Sequence, residues 1–124
     1  MKIAILAVTK KGYKTAEKIK QSLPDSVIID SPAGVRLALE HIWTRYDGII
    51  CIMAAGIVVR CISGLCHSKY SDPCVVVIDE HGAFSVSLLS GHIGGGNKLA
   101  VKVARLCKGT AVITTASDLS GHTA

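Results

Sequence analysis

Residues 86–97 read Val-Ser-Leu-Leu-Ser-Gly-His-Ile-Gly-Gly-Gly-Asn. A strand-like run breaks into four glycines around one histidine, then opens a helix. Strand, loop and helix in that order form the repeating unit of an α/β sheet. Gly91, Gly94, Gly95 and Gly96 strip side chains from the backbone, so bare N–H groups can approach an anion at the positive end of the helix. His92 is the only histidine there, the residue type suited to moving a proton near neutral pH. The stretch suits an acidic ligand that also undergoes chemistry; a tight connection without function is the plainer alternative. Two nucleotide motifs fail. The dinucleotide pattern is broken by His92 and Ile93 between Gly91 and Gly94. The triphosphate loop fails because Asn97-Lys98-Leu99 stands where Gly-Lys-Ser/Thr is required.

Outward from this stretch, apolar runs alternate with helical periods. Strands are expected at Ile3–Val8, Val27–Asp30, Gly48–Met53, Val75–Asp79, Ala83–Leu89 and Ala111–Thr114. Helices are expected at Gly12–Ser22, Gly34–Tyr46, Ala55–Leu65 and Asn97–Lys108. Glu80-His81-Gly82 is a hairpin-sized loop between two of the strands. The pattern predicts a single α/β domain over residues 1–124. Its sheet is open and mostly parallel, with helices on both faces and one antiparallel hairpin strand. Ligands of such sheets bind outside the strands' carboxyl ends. Ala54-Ala55-Gly56, Ser90–Asn97 and Thr114–Asp118 each follow a strand, so they are expected at one rim.

Composition narrows the function. The chain is 49% hydrophobic but only 4% aromatic, which gives an aliphatic core and little surface for stacking bases. Nucleic acid is therefore not an expected partner. The formal charge of +5 suits a small polyanion, with Lys10, Lys11, Lys14, Lys18 and Lys20 crowding the first helix. Five cysteines, none in C-x-x-C spacing, read as reduced, mostly buried thiols. No metal site is expected, because Cys66-His67 has no second pair at zinc spacing. No run reaches the ~18 apolar residues of a membrane span, and no secretory leader is evident, so a cytoplasmic protein is expected.

Several segments read together carry a resemblance. They are Gly56-Ile57-Val58-Val59-Arg60, Lys69 with Asp72-Pro73, Val75–Glu80 with Gly82, the block Leu88–Ala100, and Thr114-Thr115-Ala116-Ser117-Asp118. In this order they resemble the N-terminal region of the CbiG family of anaerobic cobalamin biosynthesis, most specifically through Leu-Leu-Ser-Gly-His-x-Gly-Gly. The resemblance implies the N-terminal part of a longer protein that hydrolyses cobalt-precorrin-5A. That reaction opens a δ-lactone on the corrin precursor and releases acetaldehyde. One departure is Gly96, where the family pattern has Ala. Cobalt would arrive inside the substrate, so no cofactor is implied. The expected partners are the carboxylate-rich corrin precursor, a second copy in a homodimer, and the family's C-terminal region.

Lactone hydrolysis needs a base for water and donors for the oxyanion. The resemblance points to His92 as base, with Asp118 orienting it or serving in its place. Gly56, Arg60, Ser90, Gly91, Gly94, Gly95, Asn97, Thr114, Thr115 and Ser117 are the expected substrate contacts. Arg60 would take a carboxylate bidentately. The glycine-loop N–H groups would take another carboxylate or the oxyanion. Each residue also has a plainer reading: loop ordering for His92, a surface ion pair for Arg60, and capping for the hydroxyls and Asp118. As a whole, the chain reads either as a hydrolase or as a non-catalytic tetrapyrrole- or anion-binding domain.

Overall fold

The computed structural model describes residues 1–116. Its elements run β1 (Ile3–Ala7), α1 (Lys10–Ser22), β2 (Ser26–Ile28), α2 (Val35–Ile42), β3 (Gly48–Ile52) and α3 (Ala55–Ile62). Next come β4 (Cys74–Ile78), β5 (Phe84–Leu89), α4 (Gly96–Cys107) and β6 (Thr110–Val112). Every expected strand and helix is present, with ends shifted by a few residues. The largest shifts are at α2 and α3, which stop at Ile42 and Ile62, before the expected Tyr46 and Leu65.

The six strands form one sheet in the order β2-β1-β3-β4-β5-β6. β1, β3 and β4 are buried along their whole length. This explains their unbroken apolar sequences, because both faces of a covered sheet need apolar residues. Alternate residues feed two cores. Ile5, Ile50, Ile52 and Val76 pack with Ile19 of α1 and Leu99 and Val103 of α4. Leu6, Ile49, Cys51 and Val75 pack on the opposite face with Leu39 of α2 and Val58 and Ile62 of α3. The helices therefore cover both faces in pairs. α1 opens on Thr9, whose hydroxyl accepts the Gly12 N–H at 2.9 Å. That bond satisfies one of the donors orphaned at a helix start.

Strand direction matters most for function. β2, β1, β3 and β4 are mutually parallel. β5 is antiparallel to β4, and β6 is parallel to β5. Only one pair is antiparallel, yet two strands run backwards relative to the other four. The sheet thus has an upper rim, where β1, β3 and β4 end, and a lower rim, where they begin and β5 and β6 end. The thiols follow burial: Cys51 and Cys74 are enclosed in the sheet, whereas Cys66, beyond α3, is exposed. Burial pushes the Cys51 thiol up to about 12, helped by nearby Cys61, and burial pushes Cys74 up to about 11. Among the described residues no helix is long and apolar enough to cross a membrane.

Candidate functional site

The glycine loop lies at the lower rim. Leu89 ends β5, and Ser90 turns the chain with φ 54°. That left-handed conformation is costly for a residue with a Cβ, and such outliers gather at binding loops. The Ser90 carbonyl accepts the Gly96 N–H at 3.2 Å, and the Gly91 carbonyl accepts the Asn97 N–H at 2.8 Å. Two of the backbone donors expected to face a ligand are therefore spent on closing the loop. Gly95 precedes α4 with φ 85°, and no side chain caps the helix.

Three of the glycines answer to packing. A Cβ on Gly91 would stand 2.9 Å from the Ser87 Oγ. One on Gly94 would stand 2.6 Å from the Ser90 Cβ and 2.7 Å from the Ser90 carbonyl oxygen. One on Gly96 would meet the Leu89 carbonyl oxygen and the Ser87 Oγ, both at 3.1 Å, so the alanine of the family pattern would need small shifts there. The loop is a tightly folded piece that presents His92 and Ile93 outward, both exposed. His92 makes no hydrogen bond with another described residue, so its imidazole is available to a ligand.

Asn97 and Thr115 join the loop to the chain beyond β6. Asn97, buried at the start of α4, donates from Nδ2 to the Thr115 Oγ1 at 2.9 Å. Thr114 beside it is exposed. His92, Ser90, Gly91, Gly94, Gly95, Asn97, Thr114 and Thr115 thus share the lower rim. Ser117 and Asp118 lie outside the described residues. The sequence did not single out Ser87, whose buried hydroxyl sits beneath Gly91 and Gly96 with no hydrogen-bond partner among the described residues. Its signal was its place on the inward-facing alternate of β5.

Gly56 and Arg60 do not join this group. They lie on α3, which starts at the end of β3 and therefore at the upper rim. The expectation of one shared rim fails because the β4–β5 hairpin reverses the chain: strands before it end at one rim, strands after it at the other. Arg60 is exposed and folds back over the first turn of α3, its Nη1 3.7 Å from where a Gly56 Cβ would lie. It forms no ion pair with another described residue, so the plain salt-bridge reading finds no partner either.

The upper rim holds a crevice of about 390 Å³ at the ends of β1, β3 and β4, walled by Val8, Met53, Ala54 and Phe84. β1 and β3 are neighbours whose chains leave toward opposite faces, the position where ligands enter open α/β sheets. The sequence missed this crevice because Val8 and Phe84 meet only across the sheet. Nearby, Asp79 and Glu80 tie the hairpin down. The Asp79 carboxylate accepts the Phe84 N–H at 2.7 Å and the His81 N–H at 3.3 Å. Burial pushes its pKa up, but these and other backbone N–H bonds outweigh that and hold it below the usual aspartate value. Glu80 accepts the Thr9 hydroxyl at 2.7 Å. Both acids are structural ties, as a polar turn would have them.

Comparison with known proteins locates this architecture. Residues 37–118 match the family described as Cobalamin synthesis G N-terminal. The chain is 37% identical to the cobalt-precorrin-5A hydrolase of Priestia megaterium, over 94% of this chain and 35% of that protein. It is also 37% identical to the cobalt-precorrin-5A hydrolase of Salmonella typhimurium, over 95% of this chain and 36% of that protein. A crystal structure of a cobalamin biosynthesis protein G homolog from Sulfolobus solfataricus superposes with a TM-score of 0.77 at 27% identity, covering 95% of this chain and 39% of that one. The chain spans about a third of the length of the curated relatives it matches.

Proposed function

The chain belongs to the Cobalamin synthesis G N-terminal family, and from that premise we propose that it acts in cobalamin biosynthesis on the δ-lactone of cobalt-precorrin-5A. The observation that carries this reading is the exposed, unencumbered imidazole of His92, held outward by a loop whose own backbone bonds are closed. In this scheme His92 removes a proton from water as it adds to the lactone carbonyl. The acyl C–O bond then breaks, leaving a carboxylate and a hydroxyl on the extruded carbon. That hydroxyl gives up its proton, the carbon's bond to the macrocycle breaks, and the electron pair passes to the macrocycle as acetaldehyde departs. The lower-rim hydroxyls of Thr114 and Thr115 supply polar contacts for the substrate, whereas the Ser90 hydroxyl and the Asn97 side chain are buried and order the loop instead of meeting a ligand; Ser117 and Asp118 come next in the sequence. Cobalt comes with the substrate, and the protein needs no cofactor. The cytoplasm is the compartment that suits this chemistry.

Acetaldehyde release from cobalt-precorrin-5A tests the reading. His92→Ala is expected to lower turnover at least about 100-fold, the usual loss for a general acid–base group, with an unchanged circular dichroism spectrum. A near-normal rate would remove His92 from the chemistry. A second reading has one observation in its favour: no described residue orients the His92 ring. Substrate binding without turnover by the intact chain would select that alternative, a tetrapyrrole-binding domain that works with the family's C-terminal region or a second copy.

A further inference from the structure

Along α4, Lys98, Lys102 and Arg105 recur at helical spacing and so share one face. Like charges stacked this way destabilise a helix. Among the described residues none forms an ion pair with them. α1 packs beside α4 on the same face of the sheet. Together the two helices carry eight basic residues, and Glu17 is their only acid. α2 and α3, on the opposite face, carry Arg36 and Arg60 against Glu40. Among the helices, the positive charge is concentrated on the face covered by α1 and α4.

Below Lys98 and Lys102 lies a cleft of about 340 Å³. Ile3, Leu23 and Leu99 form its floor, and Gly95 stands at its mouth. Asp25 is the one acid on its wall, on the side formed by the α1–β2 turn. A small naked polyanion would leave that apolar floor wet. A purely apolar ligand would have no use for the ammonium groups. A ligand that satisfies both has an apolar ring edge bearing carboxylates. The acid at Asp25 would turn those carboxylates toward α4.

We propose that this cleft seats one edge of a carboxylate-bearing tetrapyrrole, with Lys98 and Lys102 holding its carboxylates. The tetrapyrrole class rests on the hydrolase reading above; the cleft and its charges do not. Gly95 belongs to both the cleft and the loop that carries His92, so a ring seated here sits on the same rim as the proposed reacting group.

Titration of the intact protein with uroporphyrin, a heavily carboxylated tetrapyrrole, tests the site. Binding is expected to move the amide resonances of Leu23, Gly95 and Leu99. Lys98→Gln with Lys102→Gln should weaken it at least about tenfold, since two charge-assisted contacts are lost. Lys10→Gln with Lys11→Gln removes the same charge from the far end of α1 and should leave affinity within about twofold. Benzenehexacarboxylate, a polyanion without the macrocycle, should bind at least about tenfold more weakly than uroporphyrin, because it leaves the apolar floor uncovered. Unchanged affinity in the α4 variant overturns the proposal. So does equal loss in both lysine variants, equal affinity for the two probes, or resonance shifts confined to Ala54–Arg60. Uroporphyrin bound in the cleft without any acetaldehyde release from cobalt-precorrin-5A would refute the hydrolase and leave the site. Unchanged turnover and KM in the α4 variant would refute the site and leave the hydrolase.

Discussion

The two rims of the sheet are built by different means. The lower-rim glycine loop is closed by backbone on backbone, with Gly96 N–H on the Ser90 carbonyl and Asn97 N–H on the Gly91 carbonyl. The upper-rim hairpin has one backbone bond across its turn, Gly82 N–H on the Asp79 carbonyl, but side chains do the rest, with the Asp79 carboxylate collecting N–H groups and Glu80 reaching Thr9. The first kind of closure depends on space, because glycines let the chain cross itself. The second depends on charge. The glycines make the same point: Gly94 is hemmed in by Ser90, whereas a Cβ on Gly56 would meet nothing nearer than the Arg60 Nη1 at 3.7 Å.

Substitutions can break this contrast. The largest effect is expected from Gly94→Ala, which forces a methyl against the Ser90 carbonyl that already holds Gly96. Overpacking of this kind costs about 1–3 kcal/mol, read from urea unfolding; a wild-type midpoint would mean the loop is loose. Asp79→Ala comes next, at about 1 kcal/mol for the lost hydrogen bonds, with the amide resonances of His81 and Phe84 moving and those of Gly96 and Asn97 staying. Gly56→Ala should act in the opposite direction. Alanine in an open helical position gains about 0.5–1 kcal/mol, so a destabilised variant would show that the upper rim needs a bare backbone there.

Acid should separate the rims by a smaller margin. The Asp79 pKa is depressed in the folded protein. A depressed carboxylate adds stability that is complete above its unfolded value and is lost as pH falls through its folded one. Below about pH 4, the hairpin resonances of His81 and Phe84 should therefore titrate in step while Gly96 and Asn97 hold. Joint movement of all four would mean the rims open as one unit.

Much of this architecture was legible in the sequence. The unbroken apolar runs of β1, β3 and β4 report burial on both faces, and Glu80-His81-Gly82 marks the hairpin. Which rim each loop reaches was misread as one shared rim, although the hairpin contained the answer. A reversal at one turn changes the direction of every later strand joined by a parallel crossover, and β6 inherits it from β5. The glycines were ambiguous for a different reason. A bare backbone serves a positive φ, a ligand or a tight crossing equally well, and among the loop's glycines Gly95 alone has the positive φ. The Asn97–Thr115 pairing was half visible, since both residues stood out as polar groups beyond apolar runs. Lys98 and Lys102 did not stand out, because the cleft beneath them is completed by Ile3 and Leu23 from the other end of the chain.

The enclosed thiols have a practical consequence. A maleimide reagent needs both access and thiolate; burial and nearby Asp72 raise the Cys66 thiol, but it is the exposed one, so Cys66 should react first and Cys51, shut inside β3 with its pKa near 12, last of all. Labelling at Cys51 can proceed only when the middle of the sheet opens. Its rate is therefore a built-in clock for breathing of the central strand, one that can be read without a substrate or an engineered probe.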